Sequence, residues 1–205
     1  MPDLKFITLE VLMIIVVPLL FLFLRGKWPL KTTIICLFVI PVIWYLTYSP
    51  IHELSHALGT YIAGGRVTEY KLIPSFWEGV FAVAWIKHTG LDLPWQNLVM
   101  SSAPYLVDLM SIIAGGFVLV HNKNKNALLI GSIFMLLNLR PTFDIICEAI
   151  GFYSGYKGDL YNIQLNVGNM VLSSFLIVAL GLSFFLIYSI LKRHTEFFEK
   201  PSVRN

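Results

Sequence analysis

The residues TTIICLFVIPVIWYLTYSPIHELSHALGTYIAGG, at positions 32–65, settle the fold class of this chain. Apolar character runs from Thr32 through Pro41 and Pro50 and a His-Glu-x-x-His motif to Ala63. At about 1.5 Å per helical residue, that is longer than one crossing of a hydrocarbon layer. A proline lacks the amide hydrogen and crowds the preceding turn, so a break is expected near Pro41 or Pro50. The run would then comprise a span over 32–48 and a second, partly embedded segment bearing the histidines.

Across the whole chain, 57% of the 205 residues are hydrophobic and 13% are charged, whereas soluble domains carry about a quarter charged residues. So short a soluble domain has too little interior for that excess and would expose aggregating patches. The expectation is an all-α, integral, multi-pass membrane protein forming one domain over residues 1–205. Five stretches are long and apolar enough to cross: 7–24, 32–48, 98–120, 127 to about 153, and 167–191. Division of the second run would make six embedded segments. The first is kept as a span and not a signal peptide, because Glu10 precedes its core, Arg25-Gly26-Lys27 closes it, and no small-residue cleavage pattern follows. With five crossings, Arg25, Lys27 and Lys31, then Lys123 and Lys125, and finally Lys192, Arg193, Lys200 and Arg204 fall on one side. The positive-inside rule makes that side cytoplasmic, with the N-terminus outside. A bacterial or archaeal plasma membrane is the expected location.

The net charge of +3 is modest and its basic residues sit largely in loops, so the expected partner is the lipid bilayer and not nucleic acid. Cys36 and Cys147 both lie in apolar runs, which suits buried thiols and supports neither a disulfide nor a cysteine metal site. Trp28, Trp44, Trp77, Trp85 and Trp95 suit the headgroup level, as does Phe76 beside Trp77, and His88 and His121 suit polar loops. The long polar interval runs from Gly64 to Gln96, between the second and third spans. Val67, Tyr70, Leu72 and Ile73, then residues 80–86, suggest a strand pair or small β-hairpin punctuated by Pro74, Gly79 and Gly90. An open sheet edge is intolerable in hydrocarbon, so these strands belong at the interface or against a wet cavity.

On a helix, His52 and His56 are four apart and stack on one face within reach of a single ion. Neutral imidazole is a good zinc ligand, and a catalytic zinc takes three protein ligands plus an open position. One more ligand is required. Glu53 neighbours the first histidine and in this motif serves as general base for a metal-activated water, which is the chemistry of amide hydrolysis. Ionisable groups near hydrocarbon cost roughly 2.5 kcal/mol or more each unless paired or bound, which weighs against a chance pattern.

From His52 the chain reads His-Glu-Leu-Ser-His-Ala-Leu-Gly-Thr-Tyr-Ile-Ala-Gly-Gly-Arg-Val-Thr-Glu-Tyr-Lys-Leu-Ile-Pro. This resembles the site-2 protease family of intramembrane zinc metalloproteases, in which the motif helix is followed by a Gly, a Val and a short strand ending near Pro, here Gly65, Val67 and Pro74. The resemblance implies transmembrane helices around zinc, with strands at the membrane face that take an extended substrate segment by edge pairing. Two later landmarks are partial. Ser102-Ala103-Pro104-Tyr105-Leu106-Val107-Asp108 keeps the family's Pro but lacks its Asn, and Asn138-Leu139-Arg140-Pro141-Thr142-Phe143-Asp144 matches the family's Asn-x-x-Pro. The implied third ligand is Asp144, with Asp159, after Gly158 and before the last helix, as its rival. Arg140 would neutralise the carboxylate left off the metal, Asn138 would position substrate or oxyanion, and Asp108 would bond to a hydroxyl such as Ser101 or Ser111.

The expected function is therefore a zinc endopeptidase cutting peptide bonds of membrane proteins within or beside a span. A competing reading, motivated by the eroded later motifs, is a noncatalytic protein of the same fold that binds or regulates a membrane partner. A metal transporter is disfavoured, since Glu10, Asp108, Asp144 and Glu148 form no repeated motif and no inverted repeat is present.

Overall fold

The computed structural model describes residues 29–73, 84–122 and 126–199. The first expected span, 7–24, lies outside the described residues, as do Arg25, Lys27, Trp28, Pro74, Phe76, Trp77, Lys123, Lys125, Lys200 and Arg204.

Helix α1 (Leu30–Ile62) corrects the expected break: it runs through both Pro41 and Pro50 as one helix of 33 residues. Prolines are tolerated in such helices because the remaining ladder and neighbouring helices hold the backbone, whereas an interruption would strand many more amides and carbonyls. Span and histidine motif thus share one rod of about 50 Å, longer than a ~30 Å hydrocarbon layer.

The helix stops at a pair of glycines. Gly64 takes φ 84°, its amide donates to Tyr61 O (3.1 Å), and the Gly65 amide donates to Thr60 O (2.9 Å). This is the Schellman arrangement, which satisfies the last carbonyls and turns the chain sharply. It enters β1 (Arg66–Lys71) at once, and β1 pairs antiparallel with β2 (Trp85–Thr89), from Arg66 opposite Thr89 to Lys71 opposite Trp85, with an irregularity between Val67 and Glu69. A strand pair stands between the helices expected as the second and third spans, but its second strand, expected over 80–86, runs over Trp85–Thr89, and residues 80–83 lie outside the described residues. His88 is therefore a half-buried strand residue opposite Val67, not a loop residue.

Helix α2 (Pro94–His121) begins with proline at its first position. Gln96 anchors it: its Oε1 accepts from the amides of Asp92 and Leu93 (3.0 Å each), and its Nε2 donates to Ala63 O (2.8 Å) at the end of α1. Next, α3 (Ala127–Phe134) passes through a π-helical turn (Met135–Leu139) into α4 (Arg140–Tyr153). Pro141 has no amide hydrogen for the carbonyl four residues back, and here the ladder lengthens, with the Arg140 amide donating to Met135 O. A short α5 (Asp159–Val167) and the long α6 (Asn169–Glu199) complete the described chain.

Among the described residues, four helical stretches are long and apolar enough to cross a membrane: Leu30–Ile62, Pro94–His121, Leu128–Tyr153 and Asn169–Arg193. Their outward faces carry exposed Phe38, Val42, Met110, Phe117 and Ile177, an arrangement that favours lipid over water. One apolar cluster joins Cys36, Ile40 and Trp44 of α1 to Leu119, Phe134, Phe143 and Cys147. A second joins Tyr105 and Ile112 of α2 to Ile145, Leu160, Ile163 and Leu176. Both cysteines are buried free thiols, as expected. Trp44 is not an interface anchor: it is 4% exposed with its ring 4.9 Å from that of Phe143, because it continues the inward spacing of Cys36 and Ile40. Trp95 is exposed, and so is His121.

Candidate metal centre

His52 and His56 stand one turn apart on α1, ring centroids 4.8 Å apart and nearly perpendicular. What each Nδ1 touches decides what each Nε2 can do. His56 Nδ1 lies 3.0 Å from Met100 O on α2. That carbonyl is free because its helical partner four residues on is Pro104, which has no N–H to give. His52 Nδ1 lies 2.7 Å from Asp144 Oδ2 on α4, while the Tyr48 hydroxyl donates to Asp144 Oδ1 (3.4 Å). A carbonyl and a carboxylate only accept, so both rings carry their proton on Nδ1 and turn a lone pair outward on Nε2.

The two lone pairs converge. His52 Nε2 and His56 Nε2 are 3.1 Å apart, and Asp159 Oδ2, at the start of α5, lies 2.9 Å from His56 Nε2 and 3.5 Å from His52 Nε2. Three acceptors this close, with their protons committed elsewhere, repel one another unless a cation lies between them. A tetrahedral zinc with bonds of about 2.0–2.1 Å places its ligands about 3.3 Å apart, and the three separations lie close to that spacing.

The two rival aspartates thus occupy different places. Asp159 faces the converging Nε2 atoms, and the group suited to hold a metal among the described residues is His52, His56 and Asp159. Asp144 sits behind His52, on the nitrogen away from that point. Glu53, half-buried on α1, interacts electrostatically with both imidazoles and with Asp159 and Asp144.

Asn138 is placed elsewhere. It is fully buried in the π turn, donates from Nδ2 to Ile112 O (3.1 Å), and lies against Gly115 of α2, where a Cβ would meet its Cγ at 3.0 Å. The side chain locks α2 to the π turn. Asp108 pairs with Arg140, Oδ1 to Nη2 at 2.8 Å, each 1% exposed, and not with a serine; Ser111 donates instead to Val107 O. An ion pair satisfies a buried carboxylate far better than one hydroxyl.

Two neighbours of the centre carried weaker signals. Tyr105 is 1% exposed, its ring centroid is 6.4 Å from that of His52, and its hydroxyl turns toward Glu148 without closing a hydrogen bond. Glu148 stands one turn after Asp144 on α4 and interacts electrostatically with His52 and Asp159. The i, i+4 spacing of Asp144 and Glu148 was the readable sign. No protein-family model, curated protein or solved structure matches the chain.

Proposed function

We propose that this chain is a zinc-dependent endopeptidase of the site-2 protease type, acting on peptide bonds of membrane proteins within or beside the bilayer. The observation that supports it is the convergence of His52 Nε2, His56 Nε2 and Asp159 Oδ2, with each imidazole's other nitrogen committed to an acceptor. His52, His56 and Asp159 would hold the ion, leaving the open position that catalytic sites keep and closed structural sites lack. Zinc bound there would supply Lewis acidity, making a water acidic near neutral pH and polarising a carbonyl.

The chain's own residues do the rest. Asp144 and Met100 O hold the Nδ1 protons, fixing ring orientation and keeping both Nε2 atoms free of hydrogen. Glu53 receives a proton on its carboxylate as water attacks the scissile carbonyl and returns it to the departing amine. Among the described residues the sheet has two strands, each with one unpaired edge, and β1 leaves the motif helix through only Ala63, Gly64 and Gly65. An extended substrate segment adding to that edge would lie beside the centre with its amides satisfied. Helices apolar enough to cross a membrane, carrying the centre on their inner faces, favour a membrane-protein substrate.

The test is cleavage of single-span peptides by the zinc-loaded protein in proteoliposomes. Glu53→Ala is expected to lower the rate by about 10²–10⁴-fold while zinc stays bound. Full proteolysis by Glu53→Ala would remove Glu53 from the mechanism.

A further inference from the structure

We infer that the buried Arg140–Asp108 ion pair is a positioning device for the metal centre, acting on the His52 imidazole through Asp144. The inference rests on the metal-centre reading above. His52 Nδ1 is held by Asp144 Oδ2 at 2.7 Å. Asp144 follows Arg140 by one turn of α4 and feels its guanidinium electrostatically, and Arg140 reaches across to Asp108 on α2 at 2.8 Å. Three segments of the bundle therefore meet in one line of charge ending on a ligand.

A purely structural role explains this poorly. A buried ion pair is weak evidence for stability, since well-packed apolar residues in its place are often as stable or more so. Nor is the pair built for itself. Asp108 Oδ2 and Arg140 Nη1 have no hydrogen-bond partner, so the guanidinium does not close the two-bond fork it forms with a carboxylate when nothing else claims it. Its charge is divided between Asp108 and Asp144, each of which interacts with it, and the two carboxyl groups also interact directly with each other. Without Asp108, the whole guanidinium would fall on Asp144 and weaken its hold on the His52 Nδ1 proton, making Nε2 a poorer ligand.

The test is zinc affinity of the full chain in detergent, measured by chelator competition, for wild type, Asp108→Asn, Asp144→Asn and the double variant. Asp108→Asn is close in shape and still offers Arg140 an acceptor. It is expected to weaken zinc binding about 10-fold or more, and to have no further effect once Asp144 is Asn. Arg140→Lys keeps the charge but loses the planar fork and is expected to weaken zinc binding less; it carries the same cycle should Asp108→Asn not fold. Equal losses in both backgrounds, or none in either, overturn the inference while leaving the zinc site standing. A wild-type chain that takes up no zinc overturns the metal-centre reading and this inference with it.

Discussion

The two halves of α1 share an outer face and differ on the inner one. Before Thr47 the inward residues are Thr33, whose hydroxyl donates to Pro29 O, and then Cys36, Ile40 and Trp44; after it they are Ser49, Ser55, His56, Gly59 and Thr60. The outward face stays apolar throughout, from Phe38 and Val42 to Leu54, Leu58 and Ile62. A helix in an apolar setting can bury Ile40 anywhere at no cost, but each inward polar group needs a named partner. Packing and one bond within the chain suffice for the first half. In the second, His52 and His56 have partners from other segments, namely Asp144, Met100 O and Asp159, so the change along one helix marks where the candidate centre begins.

Substitutions on the two halves should separate these roles. Ile40, fully buried in the first apolar cluster, is expected to cost about 2–5 kcal/mol as Ala, read by chemical denaturation in detergent, with zinc affinity of the folded protein unchanged. A large zinc effect would mean that the halves are not independent. Gly59→Ala should act on both quantities. A Cβ there would lie 2.8 Å from Ala103 Cβ and 2.9 Å from Met100 Cα, so α1 and α2 must part. Strain of this kind costs about 1–3 kcal/mol, and it displaces the residue whose carbonyl holds the His56 proton. Lost stability with weaker zinc binding is expected; lost stability alone would show that Met100 O is not needed to orient His56.

Legibility in the sequence divides along the same line. Apolar runs marked four of the helices because length and hydropathy suffice for that, and alternation marked the first strand, while the second, expected over 80–86, runs over Trp85–Thr89. His52, Glu53 and His56 came together because all three lie on one helix. Asp159 was harder, since α5 reaches the centre through tertiary packing that no spacing encodes, and the Asn-x-x-Pro resemblance pointed to Asp144. The π turn adds to this. One extra residue in a turn rotates the downstream helix by about 100°, so Asn138 faces Ile112 while Asp144 faces His52, a relation hidden from residue counting. Pro104 was legible as a motif residue, but its effect, a carbonyl freed for His56, emerges only when α2 lies beside α1. The unbroken course through Pro41 and Pro50 also had to be seen, because the sequence shows the missing donors and not the neighbours that compensate.

If His52, His56 and Asp159 share one divalent ion, with Asp144 behind His52, the two aspartates must differ in what their loss does to the metal. Zinc content of the purified chain, after dialysis against a moderate chelator, reads this difference in wild type, Asp159→Ala and Asp144→Asn. One zinc per wild-type chain is expected, none in Asp159→Ala, and zinc that is present but more readily stripped in Asp144→Asn. Zinc kept by Asp159→Ala and lost from Asp144→Asn would reverse the roles of the two aspartates, and a wild type without zinc would contradict the metal centre altogether.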